Sequence, residues 1–164
     1  MQIRLAEAAD LEAIVDIVNE YIPMRTATAY LWPITPDKAQ HWFAAHDIRH
    51  PIWVAEVQGT VVAWLSVTAW SEREAYDATA ELSVYVRTQS LRSGIGSRML
   101  RHAIETAPSL GIDMLIAGAF SDNESSIALF ERFAFERCAH FRGIATLDGI
   151  RRDVTFLQRA LSAG

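Results

Sequence analysis

Residues 80–100, AELSVYVRTQSLRSGIGSRML, constrain the fold more than any other stretch of the chain. Leu82, Val84, Tyr85 and Val86 form an apolar, β-branched run that predicts a strand through about Arg87. A polar loop follows. Gly94-Ile95-Gly96 then opens a segment with Ile95, Met99, Ala103 and Ile104 at helical spacing, ended by Pro108 and Gly111. A strand running through a glycine turn into a helix brings unpaired backbone N–H groups and the positive end of a helix dipole to one point, and such a point attracts phosphate. Arg92, Ser93 and Arg98 add charge and a hydroxyl there. Met99 stands where a dinucleotide fingerprint wants a third small residue, and no Gly-Lys-Ser/Thr follows the glycines. Both the Rossmann site and the P-loop are therefore excluded. Glu81 lies just upstream on the same strand, so the pattern joins a phosphate cradle to a candidate general base.

The flanking sequence supplies the rest of a mixed α/β layer. Gln2 to Leu5 predicts a strand, and Asp10 caps a helix with Leu11, Ile14, Val15 and Val18 on its apolar face. Thr35-Pro36-Asp37 opens a second helix running to about Asp47. Ile52–Val57 and Thr60–Trp70 flank Gln58-Gly59 as a hairpin. Met114 to Phe120 is an apolar strand, and Asp122-Asn123 caps a helix carrying Ile127, Leu129 and Phe130. Two strands, about Arg137–Ala145 and Arg152–Leu161, turn at Asp148-Gly149. The order β-α-α-β-β-β-α-β-α-β-β predicts one domain, residues 1–164, with a single mixed, largely antiparallel sheet flanked by helices.

Composition removes several function classes. The formal charge of −5 opposes a general nucleic-acid binder. Trp32, Trp42, Trp53, Trp64 and Trp70 lack basic interleaving, so core and pocket wall is the expectation for them rather than a base-stacking platform. No run is long and apolar enough to cross a bilayer or to serve as a signal peptide, so a cytoplasmic location and no membrane partner are expected. The single cysteine, Cys138, permits no internal disulfide and reads as a small buried hydrophobe. His46 and His50 are four apart, but Pro51 follows and no third ligand is evident, so no metal site is expected. Ser66, Ser83 and Ser93 lack the Gly-x-Ser-x-Gly elbow of a serine hydrolase.

The strand, the x-x-Gly-x-Gly turn and the helix resemble the acetyl-CoA loop of the GNAT N-acetyltransferases. Residues 121–130, SDNESSIALF, resemble that superfamily's Asn-x-x-Ser-x-x-Leu helix, and Phe133-Ala134-Phe135-Glu136 its Leu-Gly-Phe strand entry. Within the superfamily the likeness is closest to the phosphinothricin/methionine sulfoximine acetyltransferases. It is carried by residues 18–22 (VNEYI), 70–86 (WSEREAYDATAELSVYV), 92–96 (RSGIG) and Asp153-Val154. The resemblance implies a central strand splayed from its neighbour, with the pantetheine arm of acetyl-CoA paired to Val84, Tyr85 and Val86. It places the pyrophosphate on the amides of Leu91, Arg92, Ser93, Gly94, Ile95 and Gly96, and Asn123 with Ser126 on the pantetheine side. Glu81 then accepts the proton of an attacking amine, and Arg73 and Tyr76 hold a carboxylate or phosphinate of a small amine substrate. A homodimer is expected from the resemblance alone.

Some positions depart from the family pattern. Phe130 stands where Tyr or His is usual and cannot protonate a leaving thiolate. Leu91 replaces Gln or Arg, Ala134 replaces Gly, and Arg151 replaces the Trp of a Gly-x-Trp-x-Asp-Val run. Read without the family, Glu81 is a surface or salt-bridged carboxylate on a strand edge, and Arg73 and Tyr76 are an exposed loop arginine and a packing tyrosine. Acidic Glu20, Glu72, Glu74 and Asp77 leave open a polyamine, an arylamine or a protein N-terminus as acceptor. Phe130 leaves open a non-catalytic acyl-CoA-binding module.

Overall fold

The computed structural model describes residues 1–161. Seven strands form one sheet: β1 (Gln2–Leu5), β2 (Ile52–Val57), β3 (Thr60–Ala69), β4 (Thr79–Val86), β5 (Met114–Phe120), β6 (Glu136–Leu147) and β7 (Ile150–Ala160). They lie in the order β1-β2-β3-β4-β5-β7-β6, and only β4 and β5 run parallel. Four α-helices pack on it among the described residues: α1 (Leu11–Asn19), α2 (Pro36–Ala44), α3 (Ile95–Thr106) and α4 (Glu124–Arg132). The two hairpins turn where expected. Gln58 and Gly59 have φ of 51° and 77°, and Asp148 and Gly149 of 51° and 81°, the paired left-handed conformation that matches strand twist.

Strand alternation divides the core in two. Ala63, Leu65 and Val67 of β3 and Ala80, Leu82 and Val86 of β4 face α3, meeting Ile95, Met99, Leu100 and Ala103. On the opposite face Ile52, Val54 and Trp64 meet Ile14, Ile17 and Val18 of α1. β3 is buried on both faces, which accounts for its near-continuous apolar run, whereas the Thr79, Glu81, Ser83 and Tyr85 face of β4 is only half-buried.

Asp10 does not cap α1. Its carboxylate turns back to accept the Glu7 N–H at 2.8 Å and a forked pair of bonds from the Arg4 guanidinium at 2.7 and 2.8 Å. The Arg4 bonds hold its pKa below the usual carboxylate range against the opposing effect of burial. A depressed carboxylate stabilises the fold above its unfolded pKa and loses that contribution as pH falls through its folded value. Asp10→Ala therefore costs on the order of 2 kcal/mol at neutral pH. Urea unfolding across the acid range checks this: the gap to wild type closes as Asp10 protonates.

Candidate active site

The sheet opens at its centre. β4 and β5 pair only at Thr79↔Met114, Ala80↔Leu115 and Glu81↔Ile116. Beyond Glu81, β4 stays with β3 as far as Ala63↔Val86, while β5 turns to β7 as far as Phe120↔Val154. Which backbone groups face the gap follows from register. Arg87 N–H donates to Val62 and Trp70 N–H to Thr79. In an antiparallel ladder the bonded pairs alternate, so the backbone groups of Thr79, Glu81, Ser83 and Tyr85 point to β3. Those of Leu82, Val84 and Val86 point into the gap. Tyr85 is thus corrected: of the expected trio, only Val84 and Val86 present main chain to a ligand strand. The Val86 carbonyl already accepts the Tyr21 hydroxyl, whose pKa burial pushes up to about 12, which leaves Val86 its N–H.

The turn after β4 is held from below by Glu20. Its carboxylate accepts the Thr88 N–H at 2.8 Å, the Thr88 hydroxyl at 3.0 Å and the Arg87 guanidinium at 2.8 Å. Burial alone would raise the Glu20 pKa, but these donors outweigh it and the net shift is downward. A carboxylate so engaged is not free to attract a cationic acceptor. The chain then passes through Arg92 (φ 60°) and Gly94 (φ 80°) into α3. Leu91 N–H donates to Thr88, and the Ser93 hydroxyl donates to the Ser90 carbonyl. Neither is left for a phosphate, which corrects those two expectations. The amides of Arg92, Ser93, Gly94, Ile95, Gly96 and Ser97 have no acceptor among the described residues. Six consecutive free N–H groups thus lead into the start of a 12-residue helix, with exposed Arg92 and Arg98 outside any ion pair among the described residues.

Glu81 sits at the fork of β4 and β5. Its carboxylate is half-buried, makes no hydrogen bond or ion pair among the described residues, and is shifted upward by burial. The salt-bridged alternative is thereby removed. Across the face it shares with Ser83 and Tyr85 lies a cavity of about 140 Å³, walled by Trp42, Trp64, Ser66, Thr68, Ser83 and Tyr85 among others. Thr68 is the cross-strand partner of Glu81, so the cavity opens beside the carboxylate. Tyr85 stacks on Trp64 with centroids 4.8 Å apart and donates its hydroxyl to the Ala27 carbonyl at 3.0 Å. Its side chain shapes this wall although its backbone does not face the gap.

Other expected residues fall elsewhere. Arg73 and Tyr76 are exposed in the loop before β4 and line no part of the cavity. Asn123 caps α4: its side-chain oxygen accepts the Ser126 N–H at 3.1 Å and the Ser125 hydroxyl at 3.0 Å. Only the Asn123 amide N–H groups and the Ser126 hydroxyl remain for a ligand. Phe130 is 4% exposed and packs edge-on against Phe135 at 5.2 Å, so it serves as core. Cys138 is exposed, not buried, because β6 is an edge strand with a register shift between Arg137 and Ala139. Trp32 is 77% exposed and Trp70 39%, so neither is core.

A sheet forked beside a turn of free amides, with an unpartnered carboxylate at the fork, can seat a phosphorylated coenzyme next to a candidate base. The profile of the acetyltransferase (GNAT) family matches residues 11–135, and the chain belongs to that family. It is 43% identical over 163 residues to YwnH of Bacillus subtilis (strain 168), named as a candidate phosphinothricin acetyltransferase, covering 99% of this chain and 100% of that one. It is 34% identical to an L-methionine sulfoximine/L-methionine sulfone acetyltransferase of Pseudomonas paraeruginosa, covering 95% and 92%. The crystal structure of a GNAT-superfamily phosphinothricin acetyltransferase from Sinorhizobium meliloti in complex with AcCoA superposes with a TM-score of 0.92 at 28% identity, covering 99% and 89%.

Proposed function

We propose that this chain transfers acetyl from acetyl-CoA to the primary amine of a small amino-acid-like molecule of the phosphinothricin or methionine sulfoximine type. The observation that carries the reading is the fork between β4 and β5, which leads from six free amides to an unpartnered carboxylate. The amides of Arg92 to Ser97 hold the pyrophosphate, and Val84 and Val86 pair with the pantetheine arm. The acceptor enters through the cavity on the α1/α2 side. Glu81 takes the ammonium proton, directly or through one water, and the freed nitrogen attacks the thioester carbon. The Val84 N–H stabilises the developing oxyanion. The nitrogen sheds its second proton to solvent as the C–S bond breaks. Phe130 has no proton to give, so the sulfur leaves as thiolate and takes its proton from solvent. Binding both substrates together supplies much of the rate by orientation.

Exposed Trp70, Phe141, Ile144 and Ile150 leave an apolar surface around the β6–β7 hairpin, which supports a homodimer. No helix among the described residues is long and apolar enough to cross a membrane.

The test is thiol release from acetyl-CoA with a panel of amino acids, their sulfone and sulfoximine analogues, polyamines and arylamines. Turnover confined to the amino-acid group supports the reading. Turnover with polyamines or arylamines alone overturns the acceptor assignment. Tight coenzyme binding with no thiol released on any amine overturns catalysis itself.

A further inference from the structure

Lys38 is the only lysine in the chain; the other fourteen basic residues are arginines. It lies in the first turn of α2, and it is the one ionisable side chain with a full charge at neutral pH in the cavity wall beside Glu81. The rest of the wall is neutral: the aliphatic side chains of α1, the aromatic rings of Trp42, Trp64 and Tyr85, and the hydroxyls of Ser66, Thr68 and Ser83. Lys38 is exposed and makes neither a hydrogen bond nor an ion pair among the described residues. Of the long cationic side chains it alone reaches this cavity. Arg73 lies outside the wall, and Arg87 is tied to Glu20.

We propose that Lys38 is the specificity-determining cation of the acceptor site and receives the α-carboxylate of an amino-acid substrate. This inference rests on the acetyltransferase reading above and adds to it how the acceptor is recognised. An amino acid carries an ammonium group and a carboxylate on the same carbon. Lys38 brings an ammonium into the cavity wall from α2, and Glu81, the cross-strand partner of the wall residue Thr68, sets a carboxylate beside the cavity where β4 meets β5. A positive charge in an otherwise neutral wall, with a negative charge beside the cavity at the fork, orients such a zwitterion in one sense: amine toward Glu81 and the fork, carboxylate toward α2. The side chain is left to the aromatic wall. An acceptor whose carboxylate is masked loses the second anchor and keeps the first. A polyamine meets repulsion at Lys38, so the same residue selects against cationic acceptors.

Lys38→Gln and Lys38→Arg test this with L-methionine sulfone and its α-carboxamide as acceptors. In Lys38→Gln the KM for the amino acid rises on the order of ten-fold, since a partly exposed charge-assisted contact is lost. The KM for the carboxamide and that for acetyl-CoA stay at their wild-type values, and kcat changes little. Lys38→Arg retains most of the discrimination. Equal KM changes for amino acid and carboxamide, or no change in either, overturn the proposal while the enzyme remains an acetyltransferase. Acceptor binding is also read without turnover, by quenching of the Trp42 and Trp64 fluorescence. Loss of the amino acid's preference over its carboxamide in Lys38→Gln supports the proposal on that readout as well. An unaltered preference contradicts it even if no thiol is released.

Discussion

Glu81→Gln lowers kcat by about 10²–10³-fold and leaves the KM for acetyl-CoA close to wild type. Gln fills the same space and keeps hydrogen-bonding capacity but cannot accept the ammonium proton. In the proposed binding mode the coenzyme is anchored at Arg92 to Ser97, beyond the far end of β4, so its binding is untouched. Two further signatures separate a base from a structural carboxylate. In wild type kcat/KM rises with pH as Glu81 ionises, and burial moves that limb above the ordinary carboxylate range; the limb vanishes in Glu81→Gln. Stability moves the other way. A carboxylate whose pKa is raised by folding favours the native state below its unfolded pKa and loses that contribution as pH rises through the folded value. At neutral pH the buried charge is a cost, and Gln removes it. The variant therefore melts at the same or a higher temperature than wild type while turning over far more slowly. A variant that lost stability and activity together would identify Glu81 as a structural group.

Gly94→Val has the opposite kinetic signature: affinity for acetyl-CoA falls on the order of ten-fold or more, while kcat at saturating coenzyme stays near wild type. Gly94 has φ of 80°, and a side chain built there meets no atom within 4 Å. Packing is therefore not the obstacle. The left-handed backbone costs an L-residue roughly 1–2 kcal/mol, and most for a β-branched one. The chain relieves the strain by rotating the Gly94 peptide, which reorients the neighbouring amides. Gly94→Asn, which tolerates that backbone region, stays much closer to wild type. Calorimetric titration with coenzyme A reads both. Equal, near-normal binding by the two variants would mean that the amide turn does not hold the coenzyme.

Much of this was readable along the chain because its signals are local. The β4–turn–α3 unit, both left-handed hairpin turns and the Asn123 cap depend on residues within a few positions of one another. The features that escaped depend on distant partners. Whether Tyr85 or Val84 offers its backbone is decided by register with β3, some twenty residues earlier. Arg4, across the β1–α1 junction and also bound to Glu56, turns Asp10 from a cap into an ion-pair partner. Edge position, which exposes Cys138, follows from the order in which β7 inserts between β5 and β6. Lys38 carried no signal as an isolated charge on an amphipathic helix. Its being the only lysine was visible from the start, but its place in the cavity wall required the packing of α2 over Ser66 and Thr68. Arg73 and Tyr76 are picked out by a linear motif, and a motif does not report that their loop stands exposed outside the cavity wall.

A crystal structure with acetyl-CoA bound tests the central claim most directly. The account predicts pyrophosphate oxygens about 2.7–3.2 Å from amide nitrogens between Arg92 and Ser97. It also predicts the pantetheine arm lying in the fork with bonds to Val84 and Val86, and the thioester next to Glu81. A coenzyme bound elsewhere, or one seated with its thioester remote from Glu81, would contradict it.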